Sequence, residues 1–99
     1  MGKKHFFLKL VPKRATFPQD MTEDERKIML AHVDYWKKYM EEGIMLVFGP
    51  VMDPKGIYGV GILAVDDESQ LEALAANDPA VVLNNYELYP IRAITPDQL

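Results

Sequence analysis

A single long helix, marked at both ends, limits what this chain can fold into more than any other feature. Thr22 and Glu25 have the spacing of a capping box, with further acidic residues in the first turn. Gly43 closes the segment as a left-handed cap. Between them, Ile28, Met29, His32, Val33, Trp36, Tyr39 and Met40 fall on one stripe at helical spacing. Asp34, Lys37, Lys38 and Glu41 fall on the other side. A helix of this kind must lay its stripe on an apolar surface, and the flanking segments supply one.

His5 to Val11 is a strand candidate, rich in aromatic and branched residues and ended by Pro12. Pro12 to Met21 reads as a loop carrying Arg14 and Phe17. After the helix, Ile44 to Phe48 is a continuous apolar run, expected as a fully buried strand stopped by Gly49-Pro50. Pro54-Lys55-Gly56 makes a turn into Ile57 to Val65, another apolar strand. Asp66 or Asp67 caps a second helix, Glu68 to Ala76. Asp78-Pro79 has the form of an N-cap and first residue of a further short helix. Tyr86 to Ile94 is the last strand. Pro90 makes it an edge strand or a bulged one. Thr95 to Leu99 is a polar tail.

The order is β-α-β-β-α-β. Right-handed crossovers then give a four-stranded antiparallel sheet with both helices on one face, a ferredoxin-like α+β sandwich. The 99 residues suit one domain, with a core over about residues 5–94. Ile44 to Phe48 and Ile57 to Val65 do not alternate apolar with polar residues, so both faces of these two strands, read as central, are apolar. Two helices cover one face. A homodimer packed sheet to sheet is the economical cover for the other.

The net charge of -4 and the scattered basic residues argue against nucleic acid and anionic membranes as partners. No apolar run reaches the ~20 residues of a membrane helix. The chain has no cysteine, which excludes thiolate chemistry and fits a cytoplasmic setting. Neither a metal nor a cofactor is expected: two distant histidines and no inward carboxylate cluster make a poor ligand set.

His32 is the first functional candidate. An imidazole aimed at a core needs a polar partner, and it titrates near working pH, which suits general acid or base chemistry. A core histidine bonded to a carbonyl or water is the competing reading. Asp34 is excluded as partner, because residues two apart on a helix point to nearly opposite sides. Asp78 reads as an N-cap. A carboxylate so held is ionised and oriented, which also suits an imidazole partner. Gly49-Pro50 and Gly59-x-Gly61 are either close-packing positions or the floor of a small pocket. Arg14 is a candidate anchor for a substrate carboxylate, against the reading of a solvated loop arginine. Tyr58, Tyr86 and Tyr89 are candidate pocket aromatics or packing residues. Met29, Met40 and Met45 read as core filler.

Taken together, His32 on the first helix, the Gly43-Ile44-Met45-Leu46-Val47-Phe48-Gly49-Pro50 stretch, the glycine-rich third strand and Ala75-Ala76-Asn77-Asp78-Pro79 resemble the YciI-like (YCII-related) family. The resemblance runs from about His5 to Arg92. It implies a ferredoxin-like subunit in a dimeric α+β barrel, with His32 and Asp78 as a dyad in a cleft. It further implies elimination or isomerisation chemistry on a small polar or aromatic-derived molecule. Tyr58, Gly49, Pro50 and Arg14, by their own chemistry and place in the chain, are the candidate substrate-binding residues. A non-catalytic ligand-binding or regulatory homodimer is the alternative. Two features depart from the family pattern. The Ile57-Tyr58-Gly59-Val60-Gly61 stretch has no serine where many members carry one in the cleft, and the Pro12 to Met21 loop is long.

Overall fold

The computed structural model describes residues 2–98. Met1 and Leu99, at the ends of the expected domain and tail, lie outside the described residues. The elements are β1 (Lys4–Pro12), α1 (Glu23–Glu41), β2 (Met45–Val51), β3 (Tyr58–Val65), α2 (Glu68–Ala76), a short 3₁₀ turn (Pro79–Val82) and β4 (Asn84–Ile91). A second 3₁₀ turn, Pro96–Gln98, occupies the segment expected as a polar tail. The sheet is antiparallel in the order β2-β3-β1-β4, the ferredoxin-like α+β arrangement. Among the described residues no helix is long and apolar enough to cross a membrane.

The helix ends form as their residues dictate. The Thr22 hydroxyl accepts from the Glu25 amide at 3.1 Å, and the Glu25 carboxylate accepts from the Thr22 amide at 2.9 Å. Gly43 sits at φ 79°, and its amide donates to the Met40 carbonyl while that of Ile44 donates to Tyr39. That pair of bonds is a Schellman closure, which needs the left-handed conformation glycine adopts without strain. Of the two candidate caps for α2, Asp67 is the one used: it accepts from the Gln70 amide at 2.9 Å.

Phe6, Leu8 and Leu10 alternate along β1 toward the helices, and with Trp36, Met45, Leu63, Val65 and Leu71 they make the core. The expected helix stripe holds for Trp36, which is fully buried, and for Met29 and Tyr39, which pack on the core. Tyr35 joins them. Met40 does not, and is 39% exposed.

The strand expected at Ile44 to Phe48 requires the largest correction. It runs on through Gly49-Pro50 to Val51, and it is an edge strand, not a central one. An edge strand tolerates proline because one row of its amides has no ladder partner. Nor is it fully buried: Leu46 and Val47 are exposed, next to a register shift between Met45 and Val47. β4 is the other edge, one of the two placements Pro90 allows, but it begins two residues earlier than expected and ends at Ile91. Asn84 and Asn85 have little strand propensity; pairing with Pro12 and Val11 of β1 draws them in.

The sheet face away from the helices carries one apolar row across all four strands. Val47 pairs with Ile62, Ile62 with Phe7, and Phe7 with Tyr89. The Phe7 and Tyr89 rings meet edge to face with centroids 6.1 Å apart. The next row is mixed, since it places Lys9 opposite Glu87. The open face is therefore less uniformly apolar than the strand sequences imply.

Candidate functional site

Asp78 ends the connection after α2 and begins the 3₁₀ turn, where its Oδ1 accepts from the Ala80 amide at 2.9 Å. The N-cap reading of the sequence is thus met, and the same carboxylate does more. His32 Nδ1 lies 2.9 Å from both Asp78 oxygens. Trp36 Nε1 donates to Oδ2 at 2.7 Å, and the Tyr86 hydroxyl donates to Oδ2 at 2.6 Å. Asp78 is 1% exposed, so its charge is held by these donors and not by water.

The helix geometry explains two of them. His32 and Trp36 are four residues apart on α1, so both side chains leave the same face. Tyr86 arrives from β4, opposite Leu10. Burial alone pushes the Asp78 carboxyl up, but the bonds from His32, Tyr86 and the Ala80 amide outweigh it and hold the group below its ordinary value. Burial and the neighbouring carboxylate push the Tyr86 phenol up, which keeps it a donor.

An ionised carboxylate only accepts hydrogen bonds, so the His32 nitrogen facing it carries the proton. In the neutral ring Nε2 then keeps its lone pair. Among the described residues no hydrogen bond engages Nε2, and no buried side-chain nitrogen or oxygen lacks a partner. An unengaged Nε2 is therefore an accessible one. The ring stands edge-on to Phe48, centroids 6.2 Å apart.

His32 lines a cavity of about 510 Å³ between α1 and the helix-facing side of the sheet. That size suits a small molecule. The floor is β3, where Gly59 and Gly61 point no side chain into the space. A Cβ at Gly61 would come within 2.9 Å of the Met45 methyl. Gly49, Pro50 and Tyr58 line the cavity too. The Tyr58 ring, however, lies 4.7 Å beneath the Lys9 ammonium, on the opposite sheet face, so Tyr58 borders the cavity without aiming its phenol at His32. Met29 and Met45, read as filler, are wall residues as well as core.

Arg14 is placed elsewhere. Its guanidinium makes a two-pronged pair with Glu25, 2.8 Å on each side, and bonds Asp20 at 2.8 Å. It stacks 5.5 Å over Phe17 and is not part of the cavity wall. The expected substrate anchor is instead a brace tying the 12–21 loop to the first turn of α1. That brace seats Phe17, 5% exposed, with Pro18 and Met21 as the outer wall of the cavity. Tyr89 faces the open side of the sheet and bonds Glu87.

The sequence leaves Tyr86 open between packing and pocket and places Trp36 on the apolar stripe as core. Each could have been marked by its polar atom, because a buried indole N–H or phenol usually finds a partner. Among the described residues no cluster of three His, Asp or Glu is placed to hold a metal ion.

A family model, the YCII-related domain, matches residues 7–95, and the chain belongs to that family. A comparison with curated proteins finds no match.

Proposed function

We propose that the chain is a small cofactor-independent enzyme in which His32 moves a proton on a bound molecule while Asp78 orients the ring and stabilises the imidazolium. One observation carries the reading: His32 Nδ1 is held at 2.9 Å by both oxygens of a buried carboxylate, while Nε2 is unengaged on a residue that lines a cavity. In an elimination, Nε2 takes a proton and the electron pair left behind expels a leaving group. In an isomerisation, Nε2 takes the proton from one atom and returns it to another. Family membership supports this class of chemistry on a small polar or aromatic-derived substrate.

The test is kinetic, on a substrate found by screening such compounds. Folded His32→Ala and Asp78→Asn variants are expected to lose activity by about 10²-fold or more. Full activity in both overturns the dyad.

A ligand-binding or regulatory role without catalysis is the second reading, favoured by a wall that is apolar apart from His32, Tyr58 and Asn84. Titration of the His32 ring by NMR separates the two. A ring that titrates and stays paired with Asp78 supports catalysis, and one that stays neutral across the range supports binding.

In both readings the working unit is a homodimer, packed through the apolar row of Val47, Ile62, Phe7 and Tyr89. A chain without cysteine fits action in the cytoplasm.

A further inference from the structure

Asn84 is 5% exposed and lines the cavity from β4, the sheet edge opposite the β2 edge that carries Gly49-Pro50. Its amide nitrogen donates to the Ala80 carbonyl at 3.1 Å. That carbonyl only accepts, so the side chain cannot be turned the other way, and Oδ1 is the atom left over. No hydrogen bond among the described residues reaches Oδ1. No buried polar side-chain atom lacks a partner, so Oδ1 is open, on a residue otherwise enclosed. The placement is tied to the dyad. The Ala80 amide holds Asp78 and the Ala80 carbonyl holds Asn84, so one residue of the 3₁₀ turn sets the orientation of both. The wall contains no lysine, arginine, aspartate or glutamate. An ionised ligand entering it would lose its hydration, and with His32 in the neutral form it would gain no counter-charge.

We propose that Asn84 is a ligand-binding residue, whose Oδ1 accepts a hydrogen bond from an uncharged, largely apolar molecule bearing a hydroxyl or N–H donor. This rests on the cavity being the ligand site, as in the function proposed above, and adds the chemical class of the occupant. A donor-bearing ligand satisfies Oδ1. A methylated analogue leaves it desolvated and unpaired, which is the stronger source of discrimination.

The experiment uses phenol, anisole and benzoate as probes, with affinities from NMR titration of the full chain. Phenol is expected to bind at least about fivefold tighter than anisole, and benzoate to bind more weakly than phenol. In Asn84→Leu the phenol preference is expected to fall to near parity. If that variant does not fold, the wild-type side-chain carbonyl decides: the Asn84 13Cγ resonance moves with phenol and not with anisole. Equal affinity for phenol and anisole, no binding of any probe, tighter binding of benzoate, or a preference that survives Asn84→Leu overturns the proposal. Since Nε2 of His32 also accepts, His32→Phe is run in parallel. A preference lost only there makes His32 Nε2 the acceptor of the ligand's proton and overturns the role of Asn84 while leaving the dyad standing. An Asn84-dependent preference in a protein whose His32→Ala variant keeps full activity does the reverse.

Discussion

Tyr86 donates its phenolic proton to Oδ2 of Asp78 across 2.6 Å, from a strand that begins only after the turn the aspartate caps. The bond joins β4 to the helix layer and gives a buried charge one of its donors. Tyr86→Phe removes it and changes almost nothing else. The expected loss is about 1.5–3 kcal/mol of stability, typical of a hydrogen bond to a charged group. Urea unfolding measures it. A loss below about 0.5 kcal/mol would mean that the remaining donors suffice.

The pH dependence of stability follows from Asp78. Its folded-state carboxyl lies below the ordinary value of 3.8. A carboxyl lowered by folding contributes stability in full above its unfolded value, and the contribution is lost as pH falls through the folded one. The decline is thus expected below about pH 4, and Asp78→Asn should abolish that part of it. Denaturation midpoints of both proteins from about pH 6 to about pH 2 test this. Parallel curves would assign the acid loss to other carboxylates.

Gly61→Ala probes the cavity floor. The added Cβ would meet the Met45 methyl at 2.9 Å, an approach closer than carbon atoms tolerate. The methionine end is flexible, so the cost is expected near the low end of the ~1–3 kcal/mol typical of overpacking. The displaced methyl also narrows the space beside His32. Thermal unfolding gives the first effect, and weaker binding of phenol gives the second. Unchanged values of both would show that the floor is not close-packed.

Val47→Glu probes the open face. Val47 is 57% exposed in one chain and begins the apolar row that ends at Tyr89. A charge there costs the isolated fold little, but an apolar interface leaves it unpaired. The wild type is expected to sediment as two chains and the variant as one. A wild type that sediments as one chain at micromolar concentration removes the dimer altogether.

Local signals decided much of this molecule. The capping box at Thr22 and Glu25, the Schellman glycine at 43 and the Asp78-Pro79 turn start depend on residues within one turn of each other, so they are readable in order along the chain. The same holds for element order, because strand and helix periods are set by neighbours, and the order with its crossover rule was enough for the topology. His32 was marked by its place on an apolar stripe. What tertiary structure alone decided depends on residues brought together from distant positions. Whether β2 is central or an edge is a matter of pairing, and its own residues do not encode that. Lys9 and Glu87 break the open face because register sets them opposite one another. Arg14 finds Glu25 and not the cavity because the loop folds back onto α1. Asp78 gathers His32, Trp36 and Tyr86 from a helix and a strand, and the environment of a buried charge is a sum over all of them.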